Sequence, residues 1–297
     1  MDNAGTSIKQ VPHAMQPAFI DIHPHIISND GARYPRAPLF GVQSDWSRDR
    51  PVTIEGLVAA MDEAGVDKAA VVQSSTCYGY DNSYLVDSIA RYPGRFTAVG
   101  SVDVSASDAP QRIREWVARG VSGLRLFTGG STAAFDASSL ADPASFPAWQ
   151  ACGELGLSMC IQTDPSGLTE VVGLAKRFPK VRIVLDHLGR PDVTDGPPYN
   201  RATSLFDLAS VENIYLKLTP RIFGDVKRGQ ATPETFFPRL VEVFGSDRLA
   251  WGSNFPASAG KLQDNLALAR QCLASLAPAD QAAIFSGTAQ RLYPALA

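Results

Sequence analysis

The stretch AFIDIHPHI, residues 18–26, joins a short apolar run to two closely spaced histidines, His23 and His25. The chain has four histidines in 297 residues, so two of them fall within three positions of each other. The apolar run predicts a buried strand over 19–25. Because side chains alternate along a strand, we expect both imidazoles on one face, at the carboxyl end of that strand.

Further along the chain, apolar runs rich in Val, Ile and Phe alternate with segments of helical spacing, which is typical of βαβ units in a parallel sheet. Helices are predicted over 53–65, 108–120 and 167–178. With the first strand included, strands are predicted over 19–25, 69–75, 96–102, 123–128, 157–163, 182–188, 214–219 and 248–255.

Eight strands alternating with helices over this length predict a single-domain (β/α)8 barrel spanning 18–297, preceded by a polar leader over 1–17 that includes His13. A doubly wound open sheet is the alternative architecture. It is disfavoured because no GxGxxG motif follows the first strand. In a (β/α)8 barrel the reactive residues lie at the carboxyl ends of the strands.

Composition narrows the functional classes. Hydrophobic residues make up 45% of the chain and charged residues 19%, which are ordinary values for a globular protein. A net charge of −3 leaves no basic surplus for a nucleic acid, so a small molecule is the expected partner. The four cysteines show no CxxC spacing and are interpreted as reduced thiols. Neither a signal peptide nor a long apolar run is found, so we expect a cytoplasmic protein without membrane contact.

A third histidine, His187, ends the predicted sixth strand. Imidazoles from the first and sixth strands that meet at one barrel end form a plausible site for Zn²⁺ or Mn²⁺, with His23, His25 and His187 as ligands. The alternative is that each histidine is a hydrogen-bonded polar residue near the mouth.

Three arginines, Arg125, Arg190 and Arg221, lie at or just beyond the carboxyl ends of predicted strands four, six and seven. A guanidinium group binds a carboxylate through two charge-assisted hydrogen bonds, so three of them at one barrel end predict an anionic substrate. Surface or structural ion pairs are the alternative for each arginine.

Several motifs together resemble the amidohydrolase 2 branch of the amidohydrolase superfamily, and within it the lactonases typified by 2-pyrone-4,6-dicarboxylate lactonase. They are DIHPHI (21–26), the segment from VVQSS to VGSVD (71–103), GVSGLRLF (120–127), IVLDHLGRPD (183–192) and RLAWGSNFP (248–256). The resemblance covers nearly the whole chain after the leader.

This resemblance implies a hydrolase that opens a carboxylated lactone or similar cyclic ester in aromatic or sugar-acid catabolism. It implies that Arg125 and Arg221 bind carboxylates and that Arg190 belongs to a shared motif. Three further residues are implied near the mouth as hydrogen-bonding candidates, namely Ser75, Tyr78 and Gln162. Some members of the branch work without a metal, so both metal-dependent and metal-free catalysis stay open.

The chain departs from the family pattern at Asn254, in WGSNFP, where the family usually has an aspartate. An amide cannot accept a proton from water, so Asn254 offers only a neutral carbonyl ligand or a hydrogen bond. Three explanations are open: another base, a changed reaction, or an introduced substitution. Asp186 is expected to point behind the barrel, away from His187, and Asp164 either faces the mouth or caps a helix. The direction of Lys217 is undecided.

Two other functions compete with lactone hydrolysis. One is metal-dependent non-oxidative decarboxylation of an aromatic acid, which related barrels perform. The other is a ligand-binding barrel that is inactive because of Asn254. Association into a homo-oligomer is compatible with each of these interpretations.

Overall fold

The computed structural model describes residues 18–297, and their eight strands form one parallel sheet in the order of the chain. The predicted leader, with His13, lies outside the described residues. The strands are β1 (Ile20–Asp21), β2 (Lys68–Val72), β3 (Phe96–Gly100), β4 (Val121–Phe127), β5 (Ser158–Gln162), β6 (Arg182–Leu185), β7 (Ile214–Leu218) and β8 (Leu249–Trp251). The N–H of Ile22 donates to the carbonyl of Trp251 at 3.2 Å, which joins the last strand to the first. The predicted (β/α)8 barrel is therefore confirmed.

Helices separate the strands and cover the outside of the barrel. They are α1 (Asp45–Asp49), α2 (Ile54–Ala64), α3 (Ser75–Tyr78), α4 (Ser83–Ile89), α5 (Ala109–Val117), α6 (Phe146–Glu154), α7 (Leu168–Arg177), α8 (Thr203–Asp207), α9 (Pro220–Asp225), α10 (Pro233–Phe244), α11 (Leu262–Cys272), α12 (Pro278–Ala282) and α13 (Thr288–Leu292). The three helices predicted from sequence are α2, α5 and α7, each slightly shorter than expected. In α2, the Thr53 hydroxyl caps the amino end and Gly65, with a φ of 72°, ends the helix.

Buried apolar side chains form two clusters. The larger cluster fills the space between the sheet and the helices. The smaller one fills the lower barrel interior, where Cys160 and Val184 meet residues of the C-terminal segment. There the Tyr293 hydroxyl lies 3.3 Å from the Cys160 Sγ. Lys68, at the start of β2, donates to the carbonyl of Leu296 at 3.1 Å. The C-terminal segment thus closes the amino end of the barrel and leaves the carboxyl end open.

Every strand ends earlier than the sequence predicted, by one or two residues in β3, β4, β5 and β7 and by three or four in β1, β2, β6 and β8. β1 ends at Asp21, β6 at Leu185 and β8 at Trp251, so the predicted ends at 25, 188 and 255 are wrong. After β6 and β8 the reason is backbone geometry, because His187 and Asn254 have φ values of 54° and 52°, in the left-handed region that a strand excludes. The histidines and Asn254 consequently lie on loops at the barrel mouth.

All four cysteines are buried and unpaired, as expected for reduced thiols. Among residues 18–297, no helix has both the length and the apolar character needed to cross a bilayer.

Candidate active site

The three predicted histidines come together at the open end of the barrel. The ring centroid of His23 lies 5.0 Å from that of His25 and 5.2 Å from that of His187. Strand alternation does not cause this convergence, because His23 and His25 lie beyond the end of β1. Their backbone N–H groups are held instead by the Asp21 carboxylate at 2.9 Å and by the Phe255 carbonyl at 2.7 Å.

Hydrogen bonds orient two of the imidazoles. Nδ1 of His25 lies 2.8 Å from the Val72 carbonyl, which can only accept, so Nδ1 carries the proton and Nε2 keeps a free lone pair. Nδ1 of His187 lies 2.7 Å from the Thr219 hydroxyl. Neither ring nitrogen of His23 has a hydrogen-bond partner among the described residues. The trio therefore presents lone pairs suited to a proton or a cation.

Behind the histidines lies a fully buried carboxylate, Asp186. Its Oδ1 is 2.7 Å from the Lys217 Nζ, and its Oδ2 accepts from the Arg125 Nε at 2.8 Å. Nδ1 of His23 lies 3.7 Å from the same Oδ1. The expectation that Asp186 points behind the barrel is wrong. β6 ends at Leu185, one residue before Asp186. The left-handed backbone at His187 then lets the side chains of both Asp186 and His187 face inward.

Charge and burial set the protonation of these groups. Burial lowers the pKa of His25 to about 3, and the Arg125 charge acts in the same direction. Burial likewise lowers the pKa of His187 to about 3, although Asp186 opposes it. The pKa of His23 falls well below its usual value through burial and the Lys217 charge. Burial opposes ionisation of Asp186, yet Lys217 and Arg125 hold its pKa below the ordinary range. The imidazoles are therefore neutral at pH 7, and Asp186 is charged.

A cavity of about 170 Å³, here called the mouth cavity, opens above the histidines. Most of the residues predicted to form the site border it. The lining residues are His25, Trp46, Ser74, Ser75, Thr76, Arg125, Phe127, Ser131, Gln162, His187, Arg190, Asn254 and Ala257. His23 is fully buried behind this surface, between the other two imidazoles and Asp186.

The three predicted arginines differ in their partners. Arg125 donates to Asp186 and also to the Gln162 side-chain carbonyl. The Arg190 guanidinium lies 4.7 Å above the Phe135 ring, and its Nε has no hydrogen-bond partner in residues 18–297. Burial, followed by the charges of Arg221 and Arg125, lowers the pKa of Arg190, so both of these charges act on Arg190.

Besides His23, two predicted residues do not border the mouth cavity. Arg221 is half exposed, and its Nε lies 3.6 Å from the Asp225 carboxylate on α9. The Tyr78 hydroxyl accepts hydrogen bonds from the Ser28 N–H at 2.8 Å and from the Arg36 Nη1 at 2.5 Å, so it holds the long segment between β1 and α2 in place. Asp164 adopts the capping alternative, because its Oδ1 accepts from the Ser166 N–H at 3.1 Å.

Asn254 borders the cavity with its amide facing Ser258. Its Nδ2 donates to the Ser258 hydroxyl at 2.9 Å, which leaves the side-chain carbonyl as the group available to a ligand. Asparagine tolerates the left-handed backbone found here better than most residues do.

Two supporting residues, Asp21 and Thr219, were not assigned a role from the sequence. Asp21 accepts from the N–H groups of His23 and Ser253 at 2.9 and 2.8 Å, so one carboxylate ties the ends of β1 and β8 together. Its position in DIHPH was a usable signal. Thr219 follows β7 and His187 follows the neighbouring strand β6. Their contact joins residues far apart in the chain, so no local pattern reveals it.

The long segment between β1 and α2 supplies one wall of the cavity through one of its aromatic side chains. The Trp46 ring lies 5.2 Å from the His25 ring and borders the cavity. Tyr34 packs instead on Tyr84, with ring centroids 4.9 Å apart.

The donor chemistry of the trio fits a divalent metal, because the imidazoles are neutral and Nε2 of His25 carries an available lone pair. Within residues 18–297, however, no three side chains of the His, Cys, Asp and Glu types are arranged as a ready ligand set.

The chain belongs to the amidohydrolase family, whose sequence model matches residues 20–295. The family resemblance drawn from the motifs is thus confirmed.

Relatives with assigned activities include an L-fucono-1,5-lactonase of Burkholderia ambifaria, 30% identical over 92% of this chain and 94% of that protein. A 2-pyrone-4,6-dicarboxylate hydrolase of Comamonas testosteroni is 28% identical over 67% of this chain and 66% of its own length. Among solved structures, an amidohydrolase from Burkholderia multivorans with bound zinc superposes with a TM-score of 0.72 at 21% identity. That match covers 93% of this chain and 99% of the other.

Replacing Asp186 with Asn is expected to destabilise the fold by about 3–5 kcal/mol, because it leaves the buried Lys217 and Arg125 charges without their counter-ion. Adding Lys217→Met to Asp186→Asn should recover part of that loss. Urea denaturation measures both effects. Glu242→Gln, which removes an exposed ion pair with Arg239, is the control and should leave the unfolding midpoint unchanged. A midpoint for Asp186→Asn equal to that of the parent would contradict this account.

Proposed function

We propose that this chain is a hydrolase that opens a lactone or similar cyclic ester, in the breakdown of aromatic or sugar acids. The observation that carries the proposal is the mouth cavity itself, in which neutral His25 and His187 face an Arg190 guanidinium whose Nε has no hydrogen-bond partner among the residues that the structure describes. Family membership supports hydrolysis, and the named relatives support a lactone as the substrate.

Ring opening requires a held water and a polarised carbonyl. In the absence of a metal, Nε2 of His25 is a hydrogen-bond acceptor at the cavity wall and can hold the attacking water; with a metal bound, the same nitrogen would be the ligand. The Ser75 hydroxyl borders the same cavity, is buried, and has no partner in the described part of the chain. We assign it as a donor to the lactone carbonyl. Asn254 positions the water or the ring through its side-chain carbonyl and transfers no proton.

An anionic group of the substrate is assigned to Arg190. Its guanidinium is partly buried and borders the cavity, so a carboxylate there gains a charge-assisted contact away from bulk water. Arg125 already serves Asp186 and Gln162, and therefore offers the substrate only its remaining donors. Arg221 contributes positive potential from outside the cavity lining.

A divalent metal, Zn²⁺ or Mn²⁺, is proposed to be held by His23, His25 and His187. When bound there, it would supply Lewis-acid polarisation to the reaction. Because Asn254 is not a base, the chain's own residues otherwise provide only hydrogen bonds and weakly basic imidazoles. Metal analysis of purified protein, with activity assayed before and after chelation, tests this assignment. Full activity in metal-free protein would show that the histidines act alone.

Incubation with L-fucono-1,5-lactone and 2-pyrone-4,6-dicarboxylate should release acid from at least one of them, followed with a pH indicator. Arg190→Met is expected to raise KM for a carboxylated lactone about tenfold or more, because a charge-assisted contact is lost. Arg228→Met is the matched control, because it removes an exposed arginine that pairs with Asp225 outside the cavity lining. It should leave KM for the lactone unchanged. Release of CO2 from an aromatic acid without lactone opening would identify a decarboxylase instead.

Asn254→Asp is expected to raise kcat for lactone opening by about 100-fold, because a carboxylate at the cavity wall adds a general base. Ser258→Ala, which removes only the partner of the Asn254 amide, is the control and should not produce this rise. Initial rates at saturating lactone measure the effect. Equal rates for parent and Asn254→Asp would show that the chemistry uses other residues.

A further inference from the structure

A second cavity of about 90 Å³, here called the side cavity, lies next to the mouth cavity. Two residues near the end of β4, Arg125 and Phe127, border both cavities. Arg125 is fixed by its bonds to Asp186 and Gln162. The Phe127 ring makes no such bonds, so it is the part of the shared wall that depends on packing alone.

The Phe127 ring is seated by its neighbours. The Arg125 guanidinium carbon lies 5.3 Å from the ring centre, and the Phe40 ring centroid lies 6.1 Å away. A Cβ placed on Gly130 would stand 3.1 Å from the Phe127 Cζ and 2.7 Å from the Gln162 Nε2. Glycine at 130 therefore leaves the space that the ring and the Gln162 amide occupy.

We propose that Phe127 is a specificity-determining residue that limits substrate size by separating the mouth cavity from the side cavity. This proposal rests on the lactone-hydrolase function above. With the ring in place, a substituent on the lactone that points toward β4 meets the aromatic wall. With the ring removed, the two cavities join and the same substituent enters the side cavity.

The lining of the side cavity defines which substituent fits. It contains the exposed Asp103 carboxylate and the side chains of Tyr80, Ser105 and Ser139. A carboxylate of the substrate would be repelled by Asp103, whereas hydroxyl groups find hydrogen-bond partners. The negative end of a substrate thus belongs beside Arg190, and an uncharged hydroxylated substituent belongs in the side cavity.

The test compares two lactones that share a ring and differ by one hydroxymethyl group, D-xylono-1,5-lactone and D-glucono-1,5-lactone. Phe127→Ala should raise the ratio of kcat/KM for the larger lactone over the smaller one about tenfold, the scale on which a pocket discriminates a group of this size. Phe127→Leu, which keeps an apolar side chain, should raise the ratio by less. A ratio that stays at the parent value in Phe127→Ala overturns the proposal.

Leu39→Ala is the matched control, because Leu39 borders the side cavity but not the mouth cavity. It enlarges the side cavity without opening the wall, so the ratio should stay at the parent value. Calorimetric binding of D-xylonate and D-gluconate gives the same comparison without turnover. If the parent opens no lactone, the proposed function fails, and the ratio of the two dissociation constants in Phe127→Ala still decides the role of Phe127.

Discussion

The candidate site depends on one buried carboxylate. Asp186 binds the Lys217 ammonium and the Arg125 guanidinium in the interior of the barrel, where all three side chains are almost completely shielded from water. Such charges are tolerated only as a paired set, because any one of them alone pays a large desolvation penalty. The cluster sits between the apolar lower interior and the histidines, so it is both the floor of the site and the source of its electrostatic field. Positive charge from Lys217 and Arg125 adds to burial in keeping the imidazoles neutral.

The second constraint is the way in which strands end at the barrel mouth. β1, β6 and β8 stop short of the lengths that their apolar runs predict. Left-handed backbone at His187, Arg190 and Asn254 turns these side chains toward the cavity. Non-glycine residues in this conformation cost of order 1–3 kcal/mol and persist where the surrounding structure fixes them. Here the buried cluster and the Asp21 hydrogen bonds supply that fixation.

Much of the fold was predictable, because eight apolar runs alternating with helical segments admit few architectures. The position of each strand and the helices α2, α5 and α7 follow from local patterns. The gathering of the histidines was also predictable, since strand ends meet at one rim. The direction of Asp186 was not, because alternation fails once the strand has ended. The separation of Arg221 and Tyr78 from the cavity lining was not predictable either. Arg221 pairs with Asp225 one helical turn away, and Tyr78 bonds to Arg36, which is distant in the chain.

The charge distribution links structure to chemistry. Arg190 lies at the cavity wall, and its Nε finds no hydrogen-bond partner in the described part of the chain, while Arg125 is paired with Asp186. The positive potential at the mouth therefore favours an anion at one place, beside neutral imidazoles that can hold water. From the barrel interior toward the open end, the paired charges around Asp186 come first, then the neutral histidines, then the Arg190 guanidinium.

The state of the imidazoles is the most direct test of this account. A long-range ¹H–¹⁵N spectrum of protein with ¹⁵N-labelled histidine at pH 7 reports which ring nitrogens carry protons. We expect neutral rings for His23, His25 and His187, with the proton of His25 on Nδ1. Signals of a doubly protonated ring from any of these three residues would contradict the arrangement of charges described for the barrel interior.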